Sequence, residues 1–173
     1  MKQLIHLTAK AGSTFLLMVV LVATGFSQKP DASQQLKPLI DKYVEIWNTG
    51  NVKDLDGILD AHFVRHANDA PAVEGAEGMK KLISGLRTGY PDFKVVLAEE
   101  IFTENKSVGR WSLTATNTGP GEFPPTGKPV KQWGVTILHF ANGKIAEEWI
   151  AFDNQSFLMQ QGFTMTPPAE KKK

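Results

Sequence analysis

The chain has 173 residues, 42% of them hydrophobic and 21% charged, and a formal net charge of +1. That length and apolar content suit one domain with its own core, and the near-neutral balance excludes recruitment of nucleic acid by a global field. The absence of cysteine excludes disulfides, thiolate metal sites and cysteine nucleophiles.

The N-terminus has the pattern of an export leader. Lys2 and Lys10 provide a positive region, Phe15 to Ala23 an apolar one, and Gly25-Phe26-Ser27 small residues ahead of a cleavage point before Gln28. This predicts a signal peptide over 1–27 and a periplasmic or secreted protein. The apolar run is short for a bilayer span. An uncleaved N-terminal anchor is the competing expectation, and no stable membrane insertion is expected after cleavage. Residues 28–35 read as a polar linker, 36–163 as the folded domain, and 164–173 as a disordered basic tail ending in three lysines.

Leu36, Leu39, Ile40, Tyr43, Val44 and Trp47 recur at helical spacing, with Ser33 as the expected N-cap and Asn48-Thr49-Gly50-Asn51 as the stop. A second short helix is expected from Val52 to Ala61, then an extended segment His62–His66. A third helix follows Gly75, carries Met79, Leu82, Ile83 and Leu86, and stops near Gly89-Tyr90-Pro91. Strands are expected over Phe93–Thr103, Ser107–Asn117, Val130–Ala141 and Lys144–Asp153, and a last helix over Gln155–Gln161. Helices first and strands after them indicate an α+β fold, with a curved antiparallel sheet wrapped over the N-terminal helix.

Asn142-Gly143 is a strong two-residue hairpin turn. Counting out from it pairs Ala141 with Lys144, Leu138 with Glu147, Thr136 with Trp149 and Gly134 with Ala151. One face then carries Gln132, Thr136, Leu138, Phe140, Glu147, Trp149 and Asp153; the other carries Trp133, Val135, Ile137, His139, Glu148, Ile150 and Phe152. Both faces are apolar. One can cover a cavity, and the other predicts a homodimer through the sheet.

Asp153, beside Trp149 and Phe140 in this register, has the surroundings of a general acid or base; spacing alone favours it as the cap of the last helix, and the two roles are not exclusive. His66 ends a short strand and is either a catalytic base or a half-exposed histidine. Trp47, Trp111, Trp133 and Trp149 are core residues or flat platforms for a ring-containing ligand. His139 is expected to pack on the dimer face. No spacing of histidine and carboxylate suits a metal, and no phosphate-binding loop, dinucleotide fingerprint or nucleophile elbow occurs. No cofactor is expected.

Several segments together resemble one family. They are Trp47-Asn48-Thr49-Gly50-Asn51, Phe63-Val64-Arg65-His66, Gly75-Ala76-Glu77-Gly78-Met79, Tyr90-Pro91-Asp92-Phe93, Thr116-Asn117-Thr118-Gly119, Pro124-Pro125-Thr126-Gly127-Lys128-Pro129-Val130, Gly143-Lys144-Ile145-Ala146-Glu147-Glu148-Trp149, Phe152-Asp153 and Gln160-Gln161-Gly162. From about Leu36 to Gly162 the chain resembles the SnoaL-like polyketide cyclases, also called ester cyclases, of the nuclear transport factor 2-like superfamily. The resemblance implies a cone-shaped sheet around helices, a deep pocket, frequent dimers and cofactor-free aldol ring closure of a polyketide ester. It also implies an acid/base role for Asp153 and a pocket role for His66. Asn117 stands where many relatives have a histidine; it can donate a hydrogen bond to an enolate oxygen but cannot shuttle a proton near neutral pH.

Three functions fit. The first is a cofactor-independent cyclase, isomerase or hydrolase acting on an apolar carbonyl compound, with Asp153 and His66 catalytic and Asn117, Trp149, Phe140, Trp47 and Trp111 holding the substrate. The second is a non-catalytic protein that binds a hydrophobic small molecule. The third is a dimeric interaction module with a filled pocket.

Overall fold

The structure, a computed structural model, describes residues 31–68 and 70–166. The expected leader and the lysine-rich end lie outside the described residues. Helix α1 spans Ala32–Thr49. Asp31 rather than Ser33 caps it, accepting the Ser33 N–H at 3.2 Å and the Ser33 hydroxyl at 2.9 Å. The helix thus starts inside the stretch expected as linker. Its apolar stripe buries Leu36, Ile40, Tyr43 and Ile46, and Gly50 ends it at a φ of 75° that glycine adopts without strain.

The expected second helix is cut short. One 3-10 turn, Val52–Asp54, leads into the single-turn helix α2, Leu55–Ile58, and strand β1 already begins at Leu59 and runs to Ala67. Leu59 pairs with Ile145 and is buried, so sheet pairing overrides the helical spacing of its side chains. A two-residue strand β2, Val73–Glu74, too short to leave a periodic trace, precedes α3, Gly75–Gly89. Strands β3 (Lys94–Phe102), β4 (Lys106–Thr116), β5 (Pro129–Ala141) and β6 (Lys144–Phe152), and helix α4 (Asn154–Gln161), lie within a residue or so of expectation.

The six strands form one sheet in the order β2-β1-β6-β5-β4-β3. The expectation of a wholly antiparallel sheet is corrected at one pair: β1 runs parallel to β6. These two strands come from opposite ends of the domain, so no hairpin dictates their relative direction. Helices α1 and α3 bury Ile40, Tyr43, Met79 and Ile83 against Leu138, Phe140 and Ile145 of the sheet. Two polar residues fasten the helix ends. Asn48 donates to the Val95 carbonyl at 2.9 Å and accepts its N–H at 2.7 Å, and Arg87 donates to the carbonyls of Trp47, Pro91 and Phe93.

The β5–β6 register differs from the count. Ala141↔Lys144 and Phe140↔Ile145 pair as the turn requires, but His139 then pairs with Glu147, leaving Ala146 as a bulge. Beyond it, Leu138 faces Glu148, Thr136 faces Ile150 and Gly134 faces Phe152. A one-residue slip exchanges the faces of a strand. Glu148, Ile150 and Phe152 therefore join Leu138, Thr136 and Gln132 on the helix-covered side. Glu147 and Trp149 go to the outer side with His139, Ile137 and Trp133.

Candidate functional site: a cavity between helices and sheet

The space between α1, α3 and the sheet is a cavity of about 740 Å³, within the range typical of small-molecule sites. Its helical roof is apolar, with Ile40, Val44, Trp47, Leu82 and Leu86. Its sheet floor adds Leu97, Trp111, Leu113, Leu138 and Ile150. Trp47 stacks on Phe93 with ring centres 5.9 Å apart. Trp111 lies along β4, its indole N–H donating to the Thr136 hydroxyl at 3.0 Å. Gly134 makes room for it, because a Cβ there would overlap the indole and come within 2.6 Å of the Ala151 carbonyl oxygen.

Against these apolar walls stands a buried polar group that the sequence reading did not select: Tyr43 of α1, Arg65 of β1 and Glu148 of β6, all lining the cavity. The Tyr43 hydroxyl donates to Glu148 Oε2 at 2.8 Å. Arg65 Nε lies 3.0 Å from the same oxygen as an ion pair, although its N–H is not aimed there and has no hydrogen-bond acceptor. The Arg65 guanidinium also sits 5.8 Å above the centre of the Trp47 ring. Burial pushes the Glu148 carboxyl above its usual range, and the smaller opposing pull of Arg65 does not cancel this. Burial, with the negative Glu148 second, pushes the Tyr43 hydroxyl well above its ordinary value and keeps it a proton donor.

The expected site residues divide. Trp47, Trp111 and Asn117 line the cavity. Asn117 is 2% exposed and its amide donates to the Pro124 carbonyl at 3.3 Å, holding the loop before β5. Phe140 does not line the cavity and is buried in the core with Ile145. Trp149 is on the outer sheet face, 48% exposed, and His66 stacks on it with ring centres 4.0 Å apart. The placing of Trp149 beside Phe140 and Asp153 is therefore corrected, and the bulge at Ala146 is the reason. Asp153 is the N-cap of α4: its carboxylate accepts the Ser156 N–H at 2.8 Å, and it faces a shallow surface depression rather than the cavity. Its backbone carbonyl accepts from Gln132, a cavity residue, at 2.7 Å. Among the described residues, no group of three or more histidine, aspartate or glutamate side chains could hold a metal ion.

Arg65 and Glu148 left a faint trace in the sequence. Each is a charged residue at a position whose neighbours two away are apolar, as Phe63 and Ala67 flank Arg65. On a strand that pattern puts a charge on the buried face.

The family model of SnoaL-like polyketide cyclases matches residues 37–161. No curated protein matches the chain. Among solved structures, a protein from Jannaschia Sp. CCS1 assigned as a SnoaL-like polyketide cyclase is similar at a TM-score of 0.71 and 22% identity, covering 83% of this chain and 100% of that one. TsrD from Streptomyces laurentii follows at 0.67 and 21%, covering 75% and 96%. An LEH-like epoxide hydrolase from M. tuberculosis shares the fold at 0.60 and 10%, covering 74% and 90%. At these identities the structures speak for the fold, whereas the family model spans most of the chain. The chain belongs to the SnoaL-like polyketide cyclase family.

Proposed function

We propose that the chain is an exported, cofactor-independent acid–base enzyme that acts on an apolar carbonyl compound held in the cavity, by aldol-type cyclisation, isomerisation or hydrolysis. The observation that carries this is the buried carboxylate of Glu148, set in a cavity whose other walls are largely apolar. A carboxylate whose proton affinity is raised by burial is a better base toward a C–H next to a carbonyl. Glu148 takes that proton, the C–H electron pair passes into the enolate, and the enolate carbon attacks an acceptor carbonyl within the same molecule. The proton then goes from Glu148 to the new alkoxide. Tyr43 fixes Oε2 of Glu148, and Arg65 places a permanent positive charge where oxyanion charge develops.

Glu148→Gln and Asp153→Asn, assayed against a panel of apolar keto-esters, test this. Loss of at least a hundredfold in turnover is expected for Glu148→Gln, with Asp153→Asn within tenfold of wild type. The reverse pattern gives the proton transfer to Asp153, as the family resemblance implies, and turnover unaffected by either variant rejects both assignments.

A second reading, a carrier for a hydrophobic molecule, is favoured by the Asn117 amide, whose bond to the Pro124 carbonyl occupies it with the loop rather than a substrate. A molecule that co-purifies with the chain and stays unchanged on long incubation, seen by native mass spectrometry, supports this over catalysis. Export rests on the leader pattern. The full chain expressed in a Gram-negative host is expected in the periplasm beginning at Gln28; retention in the membrane fraction with Met1 intact speaks for the anchor.

A further inference from the structure

Two side-chain amides of this domain show what a purely structural one does here. Gln160 of α4 accepts the Lys131 N–H at 2.8 Å and donates to the Lys131 carbonyl at 3.0 Å. Asn48 treats Val95 in the same way. Each uses both its oxygen and its NH₂ group. Gln132, next to Lys131 on β5, does not. Its Nε2 donates to the Asp153 carbonyl at 2.7 Å. A carbonyl only accepts, so the NH₂ end of the amide is the one held at Asp153. No donor among the described residues reaches the other end, Oε1.

That oxygen is not sealed in. Gln132 lines the cavity. The buried side-chain atoms without a partner among the described residues belong to Arg65, Tyr90, Glu100 and Gln161. Oε1 of Gln132 also lacks a donor and is not one of these, so it is open to the cavity. The surface beside it is apolar. Leu113, its partner on β4, and Phe152, which faces Gly134 two residues along β5, are both cavity walls. An amide oxygen without a donor between such walls favours a ligand that brings one. Leu138, six residues further along β5, faces Glu148, so Gln132 and Glu148 stand roughly 20 Å apart along the sheet.

We infer that Gln132 is a specificity-determining residue, its Oε1 accepting a hydrogen bond from a hydroxyl group of the ligand. The ligand class is an elongated, uncharged, largely apolar compound whose hydroxyl lies at the end remote from Glu148. A carboxylate or an ether oxygen would set acceptor against acceptor. An ammonium would leave water for apolar walls with only a neutral partner. This inference rests on the cavity being the ligand site, as proposed above, but not on Glu148 performing catalysis.

The test is calorimetric titration of the chain with 2-naphthol and with its methyl ether, 2-methoxynaphthalene, which lacks the hydroxyl donor. The quantity read is the ratio of the two affinities. Gln132→Met is expected to shift that ratio about fivefold toward the ether. Gln132→Glu keeps an acceptor oxygen in place, and its protonated carboxyl can donate to the Asp153 carbonyl, so its ratio stays within about twofold of wild type. A merely structural role for Gln132 would weaken both probes alike and leave the ratio unmoved. Glu148→Gln keeps the wild-type ratio, which separates this inference from the catalytic one. Should Gln132→Met fail to fold, a crystal structure of wild type with 2-naphthol decides: the hydroxyl is expected within hydrogen-bond distance of Oε1, and a hydroxyl elsewhere overturns the inference. Saturable binding with a ratio unmoved by Gln132→Met, or moved as far by Gln132→Glu, overturns this inference alone. No saturable binding of either probe overturns it together with the cavity reading.

Discussion

Glu148 makes its position felt in the pH dependence of stability. Its carboxyl is pushed upward in the folded state by burial, so between its unfolded value, about 4.3, and the folded one the native state holds more protons than the unfolded chain. Stability contributed by the group therefore falls as pH rises through that window and levels off above it. In urea titrations across pH, wild type is expected to lose stability relative to Glu148→Gln from about pH 4.3 upward, with a constant gap once the folded group has ionised. A gap that narrows with rising pH would mean that Arg65 outweighs burial. Asp153 supports a different expectation at the same scale. As the N-cap of α4 it accepts the Ser156 N–H, and Asp153→Ala should cost about 1 kcal/mol of unfolding free energy. Asp153→Ser should recover most of that. A loss of turnover in Asp153→Ser with the helix intact would assign it chemistry beyond the cap.

Among the elements, the helix-to-sheet fastenings fix the width of the cavity. Arg87 gathers three carbonyls at the junction of α1, α3 and the start of β3. Arg87→Met keeps the aliphatic stem but leaves those acceptors without their charged donor, and chemical denaturation should register a loss of about 2 kcal/mol. Helix boundaries were readable where capping and proline chemistry are local: Gly50, Gly75 and Pro91 sit where the sequence places them. The end of α2 was not, because Leu55, Ile58 and Leu59 follow a helical spacing while Leu59 belongs to the sheet. The hairpin was readable only in its first two pairs. A turn dictates the pairs beside it, and a bulge two residues further on, at an ordinary alanine, leaves no mark in composition.

At the scale of the molecule, the bulge gives the outer sheet face its character. Val96, Ile101, Val108, Trp133, Ile137 and Trp149 are exposed together there. Between the apolar groups, Glu147 bridges His139 at 2.7 Å and His66 at 3.4 Å. We propose that this face joins two copies of the chain, since six large apolar side chains on one sheet surface are more than a monomer ordinarily leaves in water. Trp133→Glu places a charge on the most exposed of the two tryptophans there. Sedimentation velocity is expected to give a dimer for wild type and a monomer for this variant; equal sedimentation coefficients would refute the interface. His66, expected near the cavity, takes its place in this surface cluster instead, because its strand presents Arg65 to the inside and its neighbours to the outside.

Length, periodicity, turn residues and segment order are local quantities, and they suffice for an α+β domain and for nearly every strand; the SnoaL-like type and a pocket place for Asn117 came from the family resemblance, and Trp47 and Trp111 stood open between core and ligand platform until the fold placed them in the cavity wall. Which carboxylate faces the cavity is a matter of register, and register is an energy of the assembled sheet. Burying Ile145 beside Phe140 and then Glu148 beside Leu138 requires one residue of β6 to be passed over. That single displacement brings Glu148 to Arg65 and Tyr43, residues 83 and 105 positions away along the chain, and carries Trp149 to the opposite side. Alternation along one strand cannot reveal it, because both registers place apolar side chains on both faces; only packing against α1 and β1 distinguishes them.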